Sequence, residues 1–340
     1  MKEINTNKWG IIGHENIVSY LGVSLSGHKF AHAYLFAGSA HLGKKTIADK
    51  FIQTLLCENY ISDNNDSNIP CGECPSCKHL DKGMHPDFYR LEVAEDKKNI
   101  SIEQVREWQR QLHHKSFLTK YKIGLIIGAE HLSIEAANAL LKTIEEPTAN
   151  TIIILVTDDI NLLLPTIISR SQVLKFNLVS DELIYDYLQD KSSDRQAMKD
   201  IAKLSFGLPG RAITYLENID KLEANKDIIR EMVSIIGKPA HERIAFLQNK
   251  FQKQDFIESQ RIANELMDSF LLIAREFLLY KQSSTNWYRL EFMSDELKEL
   301  ASILEQKKVL DIIDKVYIWR DKMKQNASPQ LFTEDLLLSI

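Results

Sequence analysis

Nine residues, GSAHLGKKT at 38–46, carry the types and spacing that bind phosphate. The pattern Gly38-x4-Gly43-Lys44 lets backbone amides wrap an anion while a lysine supplies positive charge. An apolar run at 33–36 precedes the loop, and a helical pattern through Thr46, Ile47, Phe51, Ile52 and Leu55 follows it. Strand, glycine loop and helix N-terminus are the context in which such a motif works. Two positions depart from a hydrolytic loop. Lys45 stands where a serine or threonine hydroxyl would hold magnesium, and His41 stands where glycine commonly lets the backbone wrap the phosphates. Thr46 lies a further ~100° around the helix and is a poor substitute ligand. The candidate nucleotide contacts are Gly38, Gly43, Lys44 and Thr46, and the sequence leaves open whether ATP or ADP occupies the loop.

Hydrolysis needs a second element, a strand ending in an acid that holds magnesium. The candidate strand is 123–127, and Ile127 and Gly128 occupy its end. Glu130 follows, either as a residual acid or as the start of a loop. Without the hydroxyl and the strand-end acid, no intrinsic ATPase is expected. Arg170, in Ser169-Arg170-Ser171 beyond a fourth strand ending near Thr157, reads equally as a solvated side chain or as a finger reaching a neighbouring subunit's ATP. Arg211 follows Gly207-x2-Gly210 at a helix start, where a cation opposes the dipole. That placement favours a ligand-facing role over a surface ion pair. Glu145-Glu146 looks like a general acid/base pair but sits at a helix end beside Pro147, the setting of a solvated terminus.

Cys71, Cys74 and Cys77, with Cys57 upstream, are the four cysteines of the chain and match the donor count of a closed tetrahedral zinc site. Free thiols or a redox pair are the alternatives. His79 or His85 could replace one sulfur, though four already suffice. With no open position, the metal would be structural.

These groups need a scaffold. The runs at 33–36, 88–91, 123–127 and 151–156 alternate with helical patterns, including 134–144, which predicts a parallel sheet covered by helices. From residue 180 the pattern is helical only, with helices at 181–189, at 194–204 and from 211, and breaks at 207–210 and 237–239. Further on, Leu266, Phe270, Ile273 and Phe277 form one apolar face, and Leu310, Ile313, Val316 and Trp319 another. Polar loops fall at 64–68 and 282–286. The fold class is α/β plus all-α, divided at 1–178 with the metal module near 57–80, then 179–238 and 239–340. The 340 residues are 44% hydrophobic and 26% charged with net charge -5, which suits a soluble multidomain protein and argues against a broad nucleic-acid surface. No run is long enough to span a membrane, and the first ten residues lack a signal-peptide core, so the cytoplasm is the expected compartment.

Several motifs together resemble one family, the delta-prime subunits of the bacterial DNA polymerase III clamp loader. They are Gly13-His14-Glu15, 32–36 before the loop, the cysteine cluster, His85-Pro86-Asp87, 136–142 with Glu145-Glu146-Pro147, Ser169-Arg170-Ser171, 207–211 and the closing 326–338. The resemblance implies an AAA+ P-loop domain with a zinc-binding insert, a small helical lid and a C-terminal helical collar. It implies assembly with gamma/tau and delta subunits into a five-membered ring that loads the sliding clamp on primed DNA. Arg170 would act in trans, and a broken magnesium site beside the metal cluster is the delta-prime mark. Ser171 departs from the cysteine of many relatives but preserves size and polarity. Two other readings stand beside it: an ATP-hydrolysing motor of gamma/tau type, and a stand-alone zinc DNA-binding module, which the acidic charge disfavours.

Overall fold

A computed structural model of the chain describes residues 9–61, 70–94, 97–282, 289–324 and 327–340. The polar loop at 64–68, nearly all of that at 282–286, and residue 326 of the closing segment lie outside the described residues.

The chain forms two compact units, 1–213 and 214–340. In the first, α1 (Glu15–Ser26) leads to β1 (Ala33–Ala37), α2 (Lys44–Leu56), the short α3 (Glu58–Ile61), α4 (Pro75–Asp81), β2 (Phe88–Leu91) and α5 (Ile102–His113). There follow β3 (Lys122–Ile127), α6 (Ile134–Glu145), β4 (Thr151–Thr157), α7 (Pro165–Ser169) and β5 (Gln172–Lys175). All strand pairs are parallel, in the order β2-β3-β4-β1-β5. Every residue of β1 and β4 is buried, which is why these strands read as unbroken apolar runs. Alternation sends Tyr34 and Phe36 to a core shared with α1 and α2, and Leu35 to a core shared with α5 and α6. Helices therefore cover both faces, as the alternating pattern predicts. β5 was not visible in the sequence. It is a four-residue edge strand with one buried side chain, Leu174, too short and too polar to stand out.

α8 (Asp181–Leu188) and α9 (Arg195–Leu204) complete the first unit, and α10 (Pro209–Glu217) follows. Ser180 caps α8 by accepting from Leu183 N, and Asp194 caps α9 by accepting from Gln196 N and Ala197 N.

The second unit is helical: α11 (Ile219–Ile236), α12 (Ala240–Phe251), α13 (Phe256–Lys281), α14 (Ser294–Ile303), α15 (Gln306–Lys324) and α16 (Pro329–Ser339). α13 packs against α11, α15 and α16. Its predicted face, Leu266, Phe270, Ile273 and Phe277, is buried. On α15 the expected Val316 and Trp319 face inward, but the first half of the face is shifted by one residue. Val309, Ile312, Val316, Trp319 and Met323 are buried, at alternating spacings of three and four, whereas Leu310 faces solvent.

Candidate functional site

The glycine loop joins the end of β1 to the start of α2, with Gly43 at the helix N-cap at φ 86°. Gly38 has φ 154°, and a Cβ there would lie 2.5 Å from Phe176 O. Only glycine lets the loop start so close to the chain leaving β5. Two further contacts fix the loop. His14 Nε2 donates to Leu42 O at 3.0 Å, and Gly210 N donates to His41 O at 2.8 Å. Burial holds the His14 imidazole below its ordinary pKa. Burial does the same for His41, and the nearby Arg211 and Lys44 cations add to it. The structure thus brings Arg211 close to the loop; its guanidinium also lies over the Phe206 ring at 5.5 Å.

Lys44 is buried, its side chain only 4% exposed. Its Nζ donates to Gly38 O at 2.5 Å and Ser39 O at 2.6 Å, and pairs with Asp158 Oδ1 at 2.8 Å. Asp158 follows β4 directly, and it meets Lys44 because β4 pairs with β1. Lys45 and Thr46 are exposed. At the end of β3, Ile127 and Gly128 bring no acid. Glu130 lies on a short turn (Ala129–His131), where its Oε1 accepts from Asp158 N at 3.1 Å. Its Oε2 is buried without a hydrogen-bond partner among the described residues. Glu130 therefore braces the exit of β4. Asp158 was missed by sequence reasoning; its signal is being the first acid after the strand that neighbours the loop strand.

The four cysteines are free thiols whose Sγ atoms all lie within 4.8 Å of one another. Cys57 ends α2, Cys74 caps α4, and Cys77 lies in its first turn. Cys57 and Cys71 sulfurs are 3.6 Å apart, and those of Cys71 and Cys77 3.9 Å. Tetrahedral bonds of ~2.3 Å place thiolates about 3.8 Å apart, so the set fits a metal of that geometry. Backbone N–H groups of Cys74 and Cys77 donate to the sulfurs of Cys71 and Cys74, both at 3.4 Å, while burial raises the Cys74 pKa. The neighbouring Cys77 thiol pulls Cys57 down to about 5, and the same contact pushes Cys77 up.

Neither histidine joins the sulfurs. His79 is exposed. His85 is buried; its Nδ1 accepts from Asp87 N at 3.1 Å and its Nε2 donates to Ser76 Oγ at 2.7 Å, which itself donates to Leu56 O. A ring protonated on the nitrogen facing the serine cannot act as its base, so Ser76 and His85 form a structural pair. Asp87 is buried and accepts from the backbone N–H groups of Phe117, Leu118 and Thr119 and from Thr119 Oγ1, at 2.6 to 2.9 Å. Burial raises its pKa, but the four donors together outweigh that, and the net shift is downward. Its stabilising contribution is therefore complete above the unfolded carboxyl pKa of about 4 and is lost as pH falls through the folded value. Asp87→Asn should lower the unfolding free energy at pH 7 by roughly 2–3 kcal/mol. Urea titrations at stepped pH should also show a shallower loss below pH ~4 than in the parent; parallel curves would exclude this role.

Arg170 caps the five-residue α7. Its Nε pairs with Glu145 Oε1 at 2.6 Å, with side chains 41% and 45% exposed. Glu145, at the solvated end of α6, is thus also half of an ion pair.

A family model described as DNA polymerase III, delta subunit, matches residues 13–180. A DNA polymerase III gamma subunit from Buchnera aphidicola is 32% identical over 247 residues, covering 71% of this chain and 66% of that protein. A delta-prime subunit from Pseudomonas aeruginosa is 35% identical over 181 residues, covering 53% of this chain and 54% of its own. A delta-prime subunit from Bacillus subtilis is 24% identical over 324 residues, which is 95% of each chain. The chain thus spans just under two thirds and about half of the first two relatives. Among the described residues, no helix is long and apolar enough to cross a membrane.

Proposed function

We propose a division of labour for this chain, which belongs to the AAA+ clamp-loader subunits of DNA polymerase III. Its own nucleotide loop does not hydrolyse ATP, and Arg170 serves the ATP of a neighbouring subunit. In this reading it is the delta-prime member of a ring with gamma/tau and delta, which loads the sliding clamp on primed DNA. The division at 178 and 238 into AAA+ domain, lid and collar belongs to the same proposal. The observation that carries it is the state of the loop. Lys44 is committed to two carbonyls of its own loop and to Asp158, Lys45 replaces the magnesium hydroxyl, and β3 ends without an acid. Phosphate charge in such a site has no metal to balance it. The cysteine set is proposed to hold structural zinc, with Cys57, Cys71, Cys74 and Cys77 as ligands.

The gamma/tau reading is kept because gamma and tau subunits are among the relatives. One pair of measurements separates the two. The purified chain should show no ATP turnover above background, and Lys44→Ala in the reconstituted complex should leave its ATPase unchanged. Turnover by the chain alone, abolished by that substitution, would establish the motor instead.

A further inference from the structure

A long arginine side chain at a helix end has many accessible rotamers, so a finger needs something to aim it. Glu145 Oε1 lies 2.6 Å from Arg170 Nε in an ion pair, while the other contacts are longer: Nη1 donates to Thr166 O at 3.4 Å and to Ser169 Oγ at 3.5 Å. Among the described residues, Nη2 makes no hydrogen bond. The carboxylate therefore holds the guanidinium on its stem side and leaves the outer fork open, the edge that binds phosphate oxygens in pairs.

Local stability gives no reason for this acid. An anion in the last turn of a helix opposes the helix dipole, and Glu145 is the final residue of α6. An ion pair this exposed adds little to folding. Its effect falls on which rotamer Arg170 occupies. We propose that Glu145 is the positioning residue of Arg170, selecting the conformation in which its outer fork points away from the subunit. This rests on the reading of Arg170 as a trans-acting finger.

The test uses the reconstituted complex. Glu145→Gln should lower kcat for ATP about fivefold without changing KM, and Glu145→Asp should restore most of it. The double variant Glu145→Gln/Arg170→Ala should be no slower than Arg170→Ala alone, since the acid acts only through the arginine. Losses that add in the double variant, or a Glu145→Gln complex at parental kcat, would overturn the positioning role while leaving the finger standing. An Arg170→Ala complex at parental turnover would overturn both. In the isolated chain, the Arg170 Nε–H resonance should exchange with solvent faster in Glu145→Gln; an unchanged rate would show that the pair does not hold the arginine.

Discussion

Arg170→Ala, placed in a complex reconstituted with gamma/tau and delta subunits, is expected to leave assembly intact and to lower turnover at the adjoining ATP site by roughly 10³-fold or more. The two halves of that expectation have separate causes. Arg170 is 41% exposed at the end of a short helix, so its removal leaves no cavity and no buried unpaired charge. Such surface changes usually alter stability by about 0.5 kcal/mol or less. The catalytic half follows from the planar fork, which neutralises charge on the transferring phosphoryl group when water is excluded. Lysine is a point charge without the fork, so Arg170→Lys should recover little activity. Assembly by size-exclusion chromatography and DNA-stimulated ATPase rates measure the two halves independently. Intact rings with parental turnover would remove Arg170 from the reaction.

The second large effect concerns the metal. The purified chain is expected to hold one zinc, and Cys74→Ser to lose it and melt roughly 10 °C lower or more. Cys57 and Cys77 are buried in the same core as Phe51, Ile52 and Leu55 beneath the sheet, so disorder at the sulfurs reaches the packing of α2. The helix α4 has only seven residues, too few to persist in water without an external tie. Elemental analysis and thermal melts before and after chelation check both statements. A metal-free protein with the parental melting temperature would refute the structural role.

Local features were the readable ones. The glycine loop could be placed because strand, loop and helix are contiguous. β1, β3 and β4 could be placed because burial on both faces makes them continuously apolar. The cysteine set was readable from spacing, since three of its members lie within seven residues. β5 was not, because its four residues include the polar Gln172 and Lys175 and only one buried side chain. The face of α15 was read correctly at Val316 and Trp319 but misread by one residue in its first half, since Leu310 and Val309 are adjacent and both apolar, and only packing decides which points inward.

From sequence alone came the P-loop scaffold, its damaged metal position, the four sulfurs and the arginine beyond the fourth strand. Only the tertiary structure decided what these groups touch. Lys44 meets Asp158 because β1 lies between β4 and β5, so the loop leaving β1 abuts the ends of strands far along the chain. Arg170 meets Glu145 because α6 and α7 pack on the same face of the sheet. His85 turns from the sulfurs to Ser76, and Asp87 pins residues 117–119, because burial forces each polar group to find a partner. Residue spacing encodes what is covalently near; strand order and burial determine which distant side chains share a site.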